Sequence, residues 1–326
     1  LKLGVLNNFG AGGGGKRQER IKDFLRDHPD VASEVPEGAD DIAPALGRLD
    51  SQGVDVLAVN GGDGTLQNVL TLLLGEGSPF ERLPVLLPLR SGRTNMGALD
   101  IGSDRSPARS LRRALGATRE NAVADRLVRR SVLKIDLGPE DGTQYGLFCG
   151  IGMIYRAIEW THSLFPYGRS QGVFGSGIVT GSLVIRHLLG RTDDGDAARI
   201  LEPDIVKIRL DGEPVAAEEF RLLIVSTMDR LFLRMRPFWG AHEAPVRLTA
   251  LEPKATRKFR RIVRVLRGHP PFRVGNPNRE GYLSRNVDVA EFEMDCGLTI
   301  DGEMYGPRPG RLVRIAGDER IRFLRV

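Results

Sequence analysis

Apolar positions in the first third of the chain alternate between two rhythms. Short apolar runs over residues 3–6, 54–59 and 85–88 read as buried strands. Between them, Ile21, Phe24, Leu25 and His28 share one helical face, and Leu66, Val69, Leu70, Leu73 and Leu74 share another that Gly75 closes. Ser106-Pro107 puts a capping residue before a proline, the order expected where a helix begins. Strand and helix in alternation predict a doubly wound α/β domain with a parallel sheet over residues 1–125.

From about Arg126 the period shortens. Val206, Ile208 and Leu210 alternate with Lys207, Arg209 and Asp211, and Phe292, Met294 and Leu312 sit in similar period-2 contexts. Such patterning predicts an antiparallel, β-rich second domain over residues 126–311, interrupted by helical patches near 155–164 and 254–266.

Composition narrows the function classes. A chain of 326 residues buries enough surface to need no disulfide or metal for its core. Its two cysteines, Cys149 and Cys296, are far apart, which excludes a CxxC zinc site and fits a reducing, cytoplasmic compartment. The longest apolar stretch, residues 173–189, carries Gly175, Gly177, Gly181, Arg186 and His187, so no spanning helix is expected. No signal-peptide pattern is visible, although the chain begins at Leu1 rather than Met. The five histidines show no HExxH spacing, and the metal ligands are unassigned. A net charge of +5 favours anionic partners: nucleotide, nucleic acid or acidic membrane.

The strongest local signal is Asn60-Gly61-Gly62-Asp63-Gly64-Thr65, between a strand and a helix. Its glycines let backbone N–H groups approach a ligand, and Thr65 is suited to cap the helix, whose start favours phosphate. Asp63 would repel phosphate directly; it suits holding Mg²⁺ through water, orienting the loop, or accepting a proton. The bland alternative is a glycine-rich turn. A second loop, residues 88–98, again follows a strand and carries Arg90, Gly92, Arg93, Thr94 and Asn95. Loops at neighbouring strand ends of an open α/β sheet share one crevice, where Arg90 and Arg93 could neutralise a polyphosphate. The run Gly10-Ala11-Gly12-Gly13-Gly14-Gly15-Lys16-Arg17 matches GxGxxG, but Arg17 stands where a P-loop needs a hydroxyl.

Asp301-Gly302-Glu303 offers two carboxylates, which an extended segment would point to one side. Asp-Gly is also a hairpin signal, and Asp211-Gly212-Glu213 repeats the same residues after the same kind of strand. Spacing does not choose between them. Residues 254–267 form a basic amphipathic pattern that suits either an anionic lipid surface or plain solvation, and no nucleic-acid recognition signature accompanies it.

Taken together, Gly61-Gly62-Asp63-Gly64-Thr65, the loop over 88–98 and Asp301-Gly302-Glu303 resemble the diacylglycerol kinase catalytic-domain family, which groups with sphingosine kinases and NAD kinases. Asn7-Asn8 resembles that family's first loop. Pro88, Gly92, Asn95 and Ala98 match its PxGTGNDFA pattern, while Arg93-Thr94-Asn95-Met96 departs from it by losing the acid. The resemblance implies an α/β domain followed by a β-sandwich, ATP in the cleft between them, and a final strand over 312–326 returning to the first domain. It implies nucleotide contacts from Asn7, Asn60, Gly61, Gly62, Gly64, Thr65, Gly92, Thr94 and Asn95. It also implies catalytic roles for Asp63, for Asp301 as the base, and for Glu303 beside it. The expected activity is transfer of the γ-phosphoryl of ATP, with Mg²⁺, to a diacylglycerol- or sphingoid-like lipid alcohol by a soluble or peripheral protein. The missing acid at Met96, and Met153-Ile154-Tyr155-Arg156 where many members carry Phe-Asp, point to a changed acceptor. An NAD kinase and a nucleotide- or lipid-binding homologue without transfer are the alternatives.

Overall fold

A computed structural model of the chain describes residues 1–11, 15–92, 94–164, 199–231, 234–255, 259–272 and 277–326. The stretch 173–189, Gly12 to Gly14 and Arg93 lie outside the described residues. The chain divides into two compact units: Leu1–Val132 with Gln144–Gly146 and Glu319–Val326, and Leu133–Thr143 with Leu147–Asp318.

The first unit is the α/β domain. Its sheet has the order β2 (Ala32–Glu34), β1 (Leu3–Asn7), β3 (Val56–Asn60), β4 (Val85–Pro88), β19 (Arg320–Leu324), β5 (Leu127–Ser131). All neighbours are parallel except β19 and β5. The helices are α1 (Lys16–Asp27), α2 (Ile42–Ser51), α3 (Asp63–Leu74), α4 (Met96–Ile101) and α5 (Pro107–Arg119). Strand side chains alternate between faces. Leu3, Val5, Val56, Ala58, Val85 and Leu87 therefore pack against Ile21 and Phe24 of α1 and Leu111 and Ala114 of α5. On the other face Gly4 clears room for Leu49 of α2: a Cβ there would fall 3.3 Å from Leu49 Cδ2 and 2.6 Å from Val54 Cγ2. The stripe that sets α1 includes His28, whose ring lies 4.6 Å from that of Phe24 at the helix end. Pro107 begins α5 after Ser106, as the sequence order predicts.

The second unit is antiparallel. One sheet runs β10 (Glu213–Pro214), β9 (Asp204–Leu210), β15 (Val289–Met294), β18 (Arg311–Ala316), β6 (Leu133–Asp136), β7 (Thr143–Gly146), with β11 (Glu219–Phe220) also on β9. The other runs β14 (Tyr282–Val287), β13 (Val246–Leu251), β12 (Leu222–Ser226), β8 (Phe148–Gly152), β16 (Leu298–Ile300), β17 (Glu303–Tyr305). Val206, Ile208 and Phe292 from the first sheet and Ile151, Val225 and Leu248 from the second share one core, so the two sheets form a sandwich. Helix α6 (Met153–Leu164) follows β8, and α7 (Phe259–Leu266) lies between β13 and β14.

The return strand and the boundary of the first domain are corrected here. The single return strand over 312–326 is two strands in different units, β18 in the sandwich and β19 in the α/β sheet. Val313 and Ile315 point into the sandwich core, whereas Ile321 and Phe323 are buried in the first unit. The first unit also continues past residue 125, because β5 pairs with β19 along its whole length. The period-2 reading around Leu312 holds in β18, with Leu312 on the outer face, 68% exposed. The phase of β18 turns Arg311 inward instead, where it pairs with Asp141 at 2.9 Å, as a buried charge requires.

Both thiols lie in the sandwich. Burial pushes Cys149 well above the ordinary thiol range, with the charge of Asp301 adding to it, and burial chiefly pushes Cys296 up to about 12. Thiolates are the reactive form, so neither cysteine should alkylate at pH 8 in the folded chain. Rapid labelling by iodoacetamide under native conditions would contradict that packing.

Candidate functional site

In the first unit, three strand ends carry the candidate residues. Asn7 and Asn60 end β1 and β3 as register partners. Asn60 Nδ2 donates to Asn7 Oδ1 at 2.9 Å, and Asn7 Nδ2 donates to Ser33 Oγ at 3.0 Å. Both asparagines are buried, so these amides join strand ends rather than face solvent. The neighbouring Asn8 donates from Nδ2 to Thr65 Oγ1 at 3.1 Å.

Helix α3 begins at Asp63 with extended Gly62 in the capping position and no side-chain cap. The expected Thr65 cap is therefore corrected: Thr65 lies inside the first turn, its hydroxyl held by Asn8. The glycines also act differently from a tight-turn reading, since Gly61, Gly62, Gly64 and Gly92 all avoid positive φ. Their value is close approach. A Cβ on Gly61 would fall 2.5 Å from Thr65 Cβ, and one on Gly92 only 2.4 Å from the Cα of Gly62. The two loops thus pack backbone on backbone. Gly92→Ala cannot be absorbed by a side-chain rotation, and should lower stability by about 1–3 kcal/mol. Denaturant unfolding of the variant checks it.

Asp63 joins the loops a second way. Thr94 Oγ1 donates to its Oδ2 at 2.5 Å, and the Gly97 N–H donates to its Oδ1 at 3.1 Å. Of the three roles open to Asp63, the structure displays the orienting one. Asn95 holds the far end of the second loop in a left-handed conformation, φ 51°, which asparagine tolerates better than most residues. Its Nδ2 donates to the Gly92 carbonyl at 2.7 Å. Among the described residues, Asn95 Oδ1 and Ser91 Oγ find no hydrogen-bond partner, although both are buried. Met96, in place of an acid, is buried in the first turn of α4.

In the second unit, Asp301 and Gly302 are the two-residue loop of the hairpin β16–β17, with φ 48° and 98° and Ile300 opposite Glu303. These are the dihedrals of a type I′ turn. The extended arrangement expected for the two carboxylates is corrected: Asp301 is buried in the turn, and Glu303 starts β17 exposed. Asp301 Oδ2 accepts the Leu147 N–H at 2.7 Å, while its own N–H donates to the Phe148 carbonyl at 3.0 Å. Asp211 and Gly212 make the same turn, with φ 50° and 84° and Leu210 opposite Glu213. Asp211 Oδ1 accepts N–H groups of Asp288 and Val289, each at 2.9 Å. Burial separates the twins: Asp301 is 7% exposed, whereas Asp211 lies at the surface.

Other expected positions have structural work. Arg156 grips both carboxylate oxygens of Asp204 at 2.7 and 2.6 Å and bonds the carbonyls of Ile200 and Glu202. Tyr155 packs its ring where a Cβ on Gly297 would fall 2.5 Å away. In the basic segment, Lys254 pairs with Glu252 ahead of α7, Arg261 stacks 4.2 Å over Phe272, and Arg264 bonds the Pro270 carbonyl. Among the described residues no cluster of three or more His, Cys, Asp or Glu could hold a metal, and no helix is long and apolar enough to cross a membrane. The Asn8–Thr65 bond, the Thr94–Asp63–Gly97 clasp and the bare Ser91 and Asn95 oxygens were not legible from the motifs alone.

Comparison with known proteins accords with this picture. Residues 2–139 match the family model of the diacylglycerol kinase catalytic domain. A Bacillus anthracis diacylglycerol kinase structure is 16% identical with a TM-score of 0.61, covering 100% of this chain and 97% of its own. A second structure from the same organism, provisionally assigned as a diacylglycerol kinase, is 17% identical with a TM-score of 0.68 and the same coverage. Yeast NADH kinase in complex with NADH is 11% identical with a TM-score of 0.52, covering 100% of this chain and 84% of its own. No curated protein sequence matches the chain. At these identities the structural likeness is one of fold: an α/β domain with a parallel sheet and antiparallel C-terminal sheets.

Proposed function

We propose that the chain is an ATP-dependent lipid kinase, transferring the γ-phosphoryl group to a hydroxyl of a diacylglycerol- or sphingoid-like lipid. The catalytic-domain match over residues 2–139 supports a kinase of this superfamily. The observation that carries the nucleotide is the Gly62–Gly92 contact, with the buried Ser91 Oγ and Asn95 Oδ1, which no described residue partners, beside it. Buried polar atoms without partners are costly, and a ligand with donors and acceptors relieves that cost. Backbone approach of this kind suits a nucleotide phosphate, because at Gly62 and Gly92 no Cβ stands between the loop backbone and a ligand.

Phosphoryl transfer needs positioning and charge neutralisation more than covalent chemistry. In this reading Asp63 keeps the two loops in register, and Asn7 and Asn60 keep β1 and β3 together beneath them. Asp301 is the base that takes the proton from the lipid hydroxyl. The residues present fit Mg²⁺ only as a partner of the nucleotide: the loops supply the single carboxylate of Asp63, already accepting two hydrogen bonds. A bound Mg²⁺ would be held mainly by phosphate oxygens and water, and would neutralise charge on the transferring group. Peripheral contact with an anionic membrane belongs to the same proposal. Titrating the chain with Mg-ATP tests the nucleotide half: saturable binding, weakened in Gly92→Ala, is expected, and heat indistinguishable from dilution would remove it. NADH kinase's similar fold makes NAD the competing acceptor.

A further inference from the structure

We propose that a basic pocket between the starts of α1 and α5 binds a dianionic phosphomonoester, at a site separate from the nucleotide loops. The cavity measures about 170 Å³ and is lined by Arg17 and Arg20 from α1, by Arg105 and Arg109 around the start of α5, and by Asp104 and Ser106. None of its lining residues belongs to the loops at 7–8, 60–65 or 88–98.

Four guanidinium groups face one carboxylate, and that carboxylate is already engaged. Asp104 Oδ1 accepts the Ser106 N–H at 2.9 Å, and Oδ2 lies 3.4 Å from Arg109 and 3.3 Å from Arg113. The Ser106 N–H, followed by the neighbouring arginines, holds the Asp104 carboxyl below its usual range. The first N–H of the helix start is therefore occupied, and attraction for an anion comes from the side chains.

The side chains of Arg17, Arg20 and Arg105 make no hydrogen bond or ion pair with any described residue. Several other cations of this unit are paired with an acid: Lys22 with Glu19 at 3.1 Å, Arg26 with Asp23 at 2.6 Å, Arg48 with Glu34 at 2.8 Å, Arg119 with Asp30 at 2.9 Å. Within the same helix, then, Lys22 and Arg26 have acids three residues away, while Arg17 and Arg20 have each other. Like charges at that spacing repel, and an anion between them reverses the sign. Guanidinium forks match phosphate oxygens in pairs, and the small cavity suits one phosphate with a short substituent. That chemistry is shared by free inorganic phosphate and by a phosphorylated lipid headgroup.

Equilibrium dialysis of the full chain with labelled inorganic phosphate, and flotation with phosphatidylcholine vesicles containing either phosphatidic acid or phosphatidylglycerol, separate the sources. Saturable phosphate binding at a single site identifies the free anion. A preference for phosphatidic acid without free-phosphate binding identifies the headgroup. In either case Arg17→Ala and Arg105→Ala should each weaken binding at least about tenfold, while Arg26→Ala, already paired with Asp23, should not. Binding should also fall several-fold from pH 7.5 to pH 5.5, as the second charge of a phosphomonoester is lost near about pH 6. Binding insensitive to both variants, displacement by ATP, equal retention on the two vesicle types without free-phosphate binding, or no binding to any of them would each overturn the proposal. No phosphoryl transfer is read, so the outcome is independent of the kinase proposal.

Discussion

Asp301→Asn should reduce phosphoryl transfer by about 100- to 10,000-fold, the usual contribution of a positioned general base, while Asp211→Asn changes it by no more than about twofold. The pair is a clean comparison because asparagine suits both turns. Asn-Gly is a favoured type I′ sequence, so neither substitution strains the hairpin. An asparagine oxygen can still accept the Leu147 N–H at position 301 and the Asp288 and Val289 N–H groups at position 211. What changes is the charge. At position 301 it is lost from a buried group, at 211 from a surface one. Steady-state rates with matched circular dichroism spectra check the comparison, and equal losses in the two variants would refute Asp301 as the base.

Asp63→Asn should have the second largest effect. Both carboxylate oxygens accept, one from Thr94 Oγ1 and one from the Gly97 N–H. An asparagine can keep its oxygen on the Gly97 N–H only by turning its NH₂ to Thr94, whose hydroxyl must then reverse and accept. The expected cost is about 1–2 kcal/mol of stability, the difference between hydrogen bonds to a charged and to a neutral acceptor. Nucleotide affinity should fall with it, because the loop at 88–98 loses its tie to the start of α3. Thr94→Val should lose part of the same affinity and add little on top of Asp63→Asn, since residues sharing one bond are not additive. Additive losses across the double-mutant cycle would show that Asp63 acts on nucleotide directly rather than through Thr94.

Much of the fold is readable in the chain, for a physical reason. Burial imposes periods on apolar residues, and the runs at 3–6, 54–59 and 85–88 and the alternation at 206–210 carry those periods plainly. Alternation alone does not say which face of β18 is inward: an isolated Leu312 costs little at a sheet surface, while Arg311 turns inward once Asp141 meets its charge. The return of the chain to the first sheet is visible only as another apolar run; that it takes two strands in two units depends on partners far away in sequence. The candidate site is legible as motifs and illegible as geometry. Gly61 and Gly92 announce close approach, but not that Thr65 and Gly62 are what approach them. Two identical Asp-Gly-Glu segments make identical turns, and only the surroundings of Leu147 and Phe148 bury one of them. Thr65 looks like a cap because hydroxyls cap helices, but the helix starts two residues earlier, at Asp63.

The most direct measurement of the central claim is phosphoryl transfer itself. The chain is incubated with Mg²⁺, γ-labelled ATP and a total lipid extract, with NAD as a parallel acceptor, and the organic phase is counted. The account predicts label in a lipid with the wild-type chain and almost none with Asp301→Asn. Label that enters NAD instead, or neither acceptor, would contradict a lipid kinase.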